Sequence, residues 1–163
     1  MVSPEGSTQG DLNKMTTRLF PDLKFGCSGS IVQYMVAVIN RSGQQSVKLQ
    51  IWRESDTQLG IYYKSGPDIP IGFNSTVCPF RQLVEVFQCV LNEDFQVSVQ
   101  PGDILGLELP PEIDTNVDIY FTEPGPDNYV FEGRLTSTAN LSEASRVTSH
   151  MPQINFTVIL GNS

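Results

Sequence analysis

Lysine and arginine are missing from the whole stretch between Gln82 and Gly133. The same stretch holds Glu85, Glu93, Asp94, Asp103, Glu108, Glu112, Asp114, Asp118, Glu123, Asp127 and Glu132. Over all 163 residues, 18 acids outnumber 10 bases and the formal net charge is −8. A surface this acidic repels phosphate backbones, which sets aside a nucleic-acid partner. The acidic stretch reads either as a solvated face or as a source of oxygen ligands for a cation.

Long apolar runs are missing too. No stretch of about 18 apolar residues occurs, so this segment does not insert into a membrane as a helix. The start, MVSPEGSTQGDLNKM, is polar and lacks the apolar centre of a signal peptide. The rest of the chain reads as extracellular. The expectation is a piece of a longer precursor, or a chain whose targeting signal has been removed.

Catalytic side chains are scarce. There is one histidine, His150, and there are three cysteines without C-x-x-C spacing, which leaves no zinc site. Gly26-Cys27-Ser28-Gly29-Ser30 is not the G-x-S-x-G elbow of a serine hydrolase. A thiol protease would need Cys27 or Cys78 beside His150, and no motif supports that. A glycosidase needs two inward carboxylates, and nothing ties any two of the acids to one cleft. A non-catalytic protein is expected, with a glycosidase-like enzyme as the outside alternative.

One acidic run resembles a cation loop. Asp114-Thr115-Asn116-Val117-Asp118 matches the D-x-[DN]-x-[DN] opening of a calcium loop. Its sixth position is Ile119 where glycine is needed, and its twelfth is Gly125 where glutamate is needed, so it is not an EF-hand. Glu112, Asp114 and Asp118 are the candidate calcium ligands, gathered at a loop end. Against this, the alternation Val117, Ile119, Phe121 turns Asp118 to the outer face. No other cofactor is expected.

Glycan acceptors are plentiful. N-x-[ST] triplets occur at Asn40, Asn74, Asn140 and Asn155. In QINFTVIL, Ile154, Phe156, Val158 and Leu160 form one strand face, so Asn155 points the other way, where a glycan can stand in water. Phe25-Gly26-Cys27 and Phe87-Gln88-Cys89 share the pattern Phe-x-Cys, and residues i and i+2 of a strand share a face. Each cysteine then points inward beside a phenylalanine. Cys78, before Pro79, reads as a loop residue. A Cys27–Cys89 bridge is expected, with Cys78 unpaired or paired outside this chain. Closing a loop of that length stabilises by roughly 4 kcal/mol in the chain-entropy picture.

Residues 1–17 lack periodicity and read as a flexible tail. From Arg18 to Gly161 the pattern is strand upon strand. Val47, Leu49 and Ile51 share a face, as do Phe95, Val97 and Val99, Leu105, Leu107 and Leu109, and Val117, Ile119 and Phe121. Turn signals separate the runs, including Ser65-Gly66-Pro67, Asn92-Glu93-Asp94 and Pro101-Gly102-Asp103. Short strands at this spacing predict one all-β domain over 18–161, an antiparallel β-sandwich of jelly-roll or immunoglobulin-like type. Trp52 faces away from Val47, Leu49 and Ile51, so it lies either on the solvent face or in a second layer. With Arg53 it is either packed structure or a recognition surface. Residues 135–147 read as a polar loop, a glycosylated connection or one helical turn.

These residues resemble an uncharacterised extracellular module of large surface and receptor-like proteins of early-branching animals. The motifs are Phe25-x-Cys27-x-Gly29-x-Ile31, Ile51-Trp52-Arg53, Phe87-x-Cys89 and Val99 to Gly106, VQPGDILG. The likeness covers residues 20–161. The chain departs from it at Tyr34, where a tryptophan-like aromatic is expected, and in the additional Cys78. The resemblance implies an ectodomain module with the two Phe-x-Cys cysteines paired, and it carries no ligand residues. The expected function is an adhesion or ligand-binding module of a larger surface protein, meeting a protein or glycan partner, with homotypic association as a further option. A carbohydrate-binding jelly roll is the alternative. Binding is expected in the less regular segments, 65–80, 110–118 and 122–150.

Overall fold

The computed structural model describes residues 2, 4–8, 10–71, 77, 80–83, 85–148 and 150–161. In chain order the strands are β1 (Ser7–Thr8), β2 (Thr16–Lys24), β3 (Gly29–Asn40), β4 (Val47–Glu54), β5 (Ile61–Lys64), β6 (Ile69–Ile71), β7 (Phe80–Leu83) and β8 (Val86–Val90). They continue with β9 (Val97–Val99), β10 (Ile104–Leu109), β11 (Val117–Thr122), β12 (Asn128–Glu132), β13 (Thr138–Asn140), β14 (Ser145–Val147), β15 (Met151–Pro152) and β16 (Ile154–Leu160). Among the described residues they form two antiparallel eight-stranded sheets. The first runs β1-β11-β3-β8-β7, with β15 on β11 and both β9 and β16 on β3. The second runs β13-β5-β4-β10-β2-β12-β14, with β6 on β4. The expected antiparallel β-sandwich is the fold.

Alternation builds the core between the sheets. Val47, Leu49 and Ile51 of β4, Leu105, Leu107 and Leu109 of β10, and Val117, Ile119 and Phe121 of β11 all face inward and are buried. Phe20 stacks on Phe121 at 6.4 Å, and Tyr34 on Phe87 at 6.2 Å. Burying one such side chain is worth about 1.5–3 kcal/mol. In β3 the alternation breaks: β16 pairs Thr157 with Gln33 and Val158 with Ile31, skipping Val32. That bulge lets Ile31 and Tyr34, of opposite parity, both face the core.

The chain changes sheet at most connections, so neighbours in sequence are seldom neighbours in space. Pro101-Gly102-Asp103 joins β9 to β10, which lie in different sheets. Phe95, read from the sequence as strand, belongs to a short 3-10 turn, Glu93–Phe95. The N-terminal segment is not simply a tail. β1 pairs with β11, the amide of Glu112 donates to the carbonyl of Asp11 at 2.9 Å, and Thr16 and Thr17 already belong to β2.

The outer face of the second sheet is also buried. Leu19, Trp52, Tyr62, Ile104, Phe131 and Ala139 cluster there, covered by Leu135, Leu141 and Ala144. The segment 135–147 thus supplies β13 and β14, the strands at the two ends of this sheet, and between them a 3-10 turn, Leu141–Glu143, whose Leu141 packs on the outer cluster. This settles Trp52: it is fully buried, its Nε1 donating to Gln50 Oε1 at 3.0 Å. Gly106 lies under it, where a Cβ would come 2.6 Å from the indole, so the backbone approach demands glycine. With both faces covered, all six residues of β10 are buried.

Candidate binding cleft at the open seam of the sandwich

The three candidate calcium ligands are dispersed. Glu112 Oε1 accepts from Thr8 Oγ1 at 3.3 Å. Asp114 accepts from the Gln44 amide at 3.3 Å and from Gln45 Nε2 at 2.6 Å. Asp118 accepts from Arg41 Nε at 2.7 Å. Asp114 and Asp118 pin the 41–46 loop to the 111–118 segment, work that backbone bonds such as Gln45 N to Asp114 O, at 2.8 Å, share, whereas Glu112 ties to β1. Among the described residues no three His, Cys, Asp or Glu side chains gather to hold a metal ion. The calcium expectation is therefore corrected: the three carboxylates do not converge on one site, and each meets a different donor, from Thr8, Gln45 or Arg41.

The cysteine pairing is corrected as well. Cys27 carries a free thiol, so the Cys27–Cys89 bridge is not formed. The shared Phe-x-Cys pattern misled because strand alternation was extended past a strand end. Cys89 lies inside β8, buried and opposite Tyr34, whereas Cys27 lies in the connection after β2 ends at Lys24. Their phenylalanines part company too. Phe87 stacks on Tyr34, and Phe25 meets Phe156 at 5.6 Å. Cys78 lies outside the described residues.

The glycan acceptors differ in their surroundings. Asn40 ends β3 and is exposed. Asn155 is exposed on β16, and Thr157 shares its outward face. Asn140 is half-buried, and its Oδ1 caps the 3-10 turn by accepting from the Ser142 amide at 3.0 Å and Oγ at 2.8 Å. Asn74 lies outside the described residues.

The Trp-Arg and Pro-Gly-Asp motifs form one scaffold. Arg53 donates from Nε to Asp103 Oδ1 at 2.8 Å and from Nη2 to Oδ2 at 2.9 Å, a two-pronged ion pair. That hydrogen bonding raises the pKa of Arg53 against the opposing effect of burial. Asp103 Oδ2 also accepts from the Gln100 amide at 2.8 Å, closing the turn around Gly102, whose φ is +91°. The turn grips the next strand end: Phe25 N donates to Asp103 O at 2.8 Å and Gly102 N to Phe25 O at 2.9 Å. The recognition-surface reading of Trp52-Arg53 gives way to this structural one.

Phe25 so placed forms one wall of an open cleft of about 330 Å³. The cleft exists because two strand edges fail to meet. β12 covers β2 only over Thr16–Leu19, and near Pro21–Leu23 β2 bulges away from β10. Across the gap, β16 pairs only with β3 among the described residues. Leu23 and Phe25 line one side, Ile154, Phe156 and Val158 the other, and Leu105 also lines the space between. Among the described residues Lys24 is the one charged lining residue, and no carboxylate lines the cleft. The described lining therefore offers an apolar contact surface of ligand-pocket size.

Sequence reasoning looked for binding in the irregular segments, whereas this cleft is built by regular strands. One signal was there to read: from Met151 to Gly161 the chain has no charged residue, and Ile159 and Leu160 are adjacent apolar residues that both end up exposed, at 61% and 68%. A second, polar pocket of about 370 Å³ lies by the β4–β5 connection, lined by Arg53, Glu54, Asp56 and the 46% exposed Tyr63. Comparison with known proteins returned no matching family model, no matching curated protein and no matching solved structure.

Proposed function

We propose that this domain is a non-catalytic binding or adhesion module of an extracellular protein, and that it docks its partner at the seam between β2 and β16. The observation that carries this reading is the apolar cleft lying beside a strand edge that has no partner among the described residues. Such a combination suits recognition, because the edge supplies main-chain hydrogen bonds and the cleft receives side chains. The exposed acceptors Asn40 and Asn155 support a secretory route, and the resemblance to surface-protein modules points the same way.

The test uses an environment-sensitive anionic naphthalene dye as an apolar probe. Fluorescence enhancement is expected with the wild-type domain. It should be largely lost in Phe156→Asp and in Val158→Glu, and kept in Tyr63→Ala. Equal enhancement in all four proteins would refute the seam as the site. A carbohydrate-binding reading is favoured by one feature, the exposed Tyr63 beside Glu54 and Asp56, since an aromatic face flanked by carboxylates can take up a sugar. A glycan array decides that reading, with Tyr63→Ala abolishing any signal it explains.

A further inference from the structure

We propose that the partner at the seam is a second copy of this chain, joined by antiparallel pairing of β16 with β16 about a two-fold axis at Thr157. The proposal rests on the seam being the docking site. Exposed strand edges are normally blunted by charge, proline or a bulge. β16 has none of these: its seven residues are INFTVIL, and the bulge in its pairing falls on β3 at Val32. Its outer edge is left without a strand partner among the described residues.

Charge argues for a copy of the same strand. A chain of net charge −8 repels itself over most approaches. The stretch Met151–Gly161 carries no charge, so two such strands meet without that cost. Pattern argues the same way. With Thr157 opposite its own copy, Phe156 faces the partner's Val158, Ile154 faces the partner's Leu160, and Asn155 faces the partner's Ile159. Directly opposed residues share a sheet face. The face that lines the cleft, Ile154, Phe156 and Val158, is thus matched with apolar residues throughout, and the exposed Leu160 gains a neighbour. The first sheet would run on unbroken through both copies, and the isologous contact closes at two. A seven-residue strand pair lies at the small end of specific interfaces, so single contacts are weak and many copies on one surface would add by avidity.

Sedimentation equilibrium of the domain, made in a host that adds no N-glycans, tests this up to about 1 mM, the range in which small interfaces associate. The wild type is expected to form dimers and no larger species. Asn155→Lys with Ile159→Lys places like charges opposite each other twice in the dimer and is expected to weaken association about tenfold. Both positions are exposed, so the fold should persist, which circular dichroism checks. Asn155→Glu with Ile159→Lys puts opposite charges at the same two places and is expected to restore dimers. A wild type that stays monomeric throughout would overturn the proposal. So would a Lys/Lys variant that dimerises like the wild type, or a Glu/Lys variant no better than Lys/Lys. If the protein is monomeric yet the dye still reports the cleft, the seam survives as a docking site for another partner. If both fail, both readings fall.

Discussion

Asp103 is a fully buried carboxylate at the junction of three chain segments, and its replacement by asparagine gives a worked prediction. Its side chain has no exposure and accepts three hydrogen bonds, two from Arg53 and one from the Gln100 amide. An asparagine has one acceptor oxygen and turns an NH2 group toward at least one of these donors. A hydrogen bond to a charged group is worth about 1.5–3 kcal/mol. Arg53 is 41% exposed and can recover some bonding to water, so the lower end applies. Asp103→Asn should therefore cost about 2 kcal/mol. For a domain of this length that corresponds to a fall in Tm of about 4–8 °C. Arg53→Met should cost somewhat more, about 3 kcal/mol, because it leaves a buried carboxylate without its cation. The double variant should cost less than the sum, with a coupling of about 1–2 kcal/mol. Urea denaturation of the four proteins measures this. Additive single effects, or singles within about 0.5 kcal/mol of wild type, would sink the reasoning. Because the same turn holds Phe25 by two backbone bonds, dye binding at the cleft should also fall in both single variants.

Two further predictions concern a tyrosine and a thiol. Burial pushes the Tyr34 hydroxyl above the usual tyrosine range, so its neutral form is a native-state preference. That contribution is complete below about pH 10, the unfolded value, and is lost as pH rises beyond it. Tyr34→Phe should be less stable than wild type near neutrality, by about 1 kcal/mol for the lost bond to the Pro70 carbonyl, and the gap should narrow at about pH 11. Parallel denaturation curves at both pH values, with an unchanged gap, would contradict this. Cys27 carries a free thiol, whereas Cys89 is disulfide-bonded to a partner other than Cys27. Alkylation of the denatured, non-reduced protein should modify Cys27 and spare Cys89, and a Cys27–Cys89 cross-linked peptide would refute the pairing.

The sandwich was legible because its signal is local. Leu105, Leu107 and Leu109 announce one buried face by alternation alone, and glycine and proline mark the strand ends. What alternation cannot show is where it stops or slips. Carrying it from Phe25 on to Cys27 crossed a strand end unseen, and the skipped Val32 in β3 is invisible without its partner strand. Nor does alternation say what covers an outer face. Trp52 could be assigned to solvent or to a second layer, and the polar-looking run 135–147 gave no hint that Leu135, Leu141 and Ala144 would close over it. The dispersal of Glu112, Asp114 and Asp118 was hidden for a related reason, since their partners Thr8, Gln45 and Arg41 lie far off in the chain.

The cleft was the least legible feature, because it lies where β2 and β16 do not pair with each other among the described residues. No residue type encodes a missing neighbour. Yet the motifs behind the resemblance now have a physical account that leads to it. Trp52 needs Gly106 beneath it, and Arg53 needs Asp103 beside it. The turn so fixed carries Phe25 to the seam, opposite Phe156. A scaffold that only had to fold would gain by closing that seam with charge or proline on β16, since an open apolar edge invites aggregation. Keeping INFTVIL uncharged beside a rigidly positioned phenylalanine makes sense if the edge is meant to be met. Under the proposed docking, the regular strands serve as both framework and contact surface.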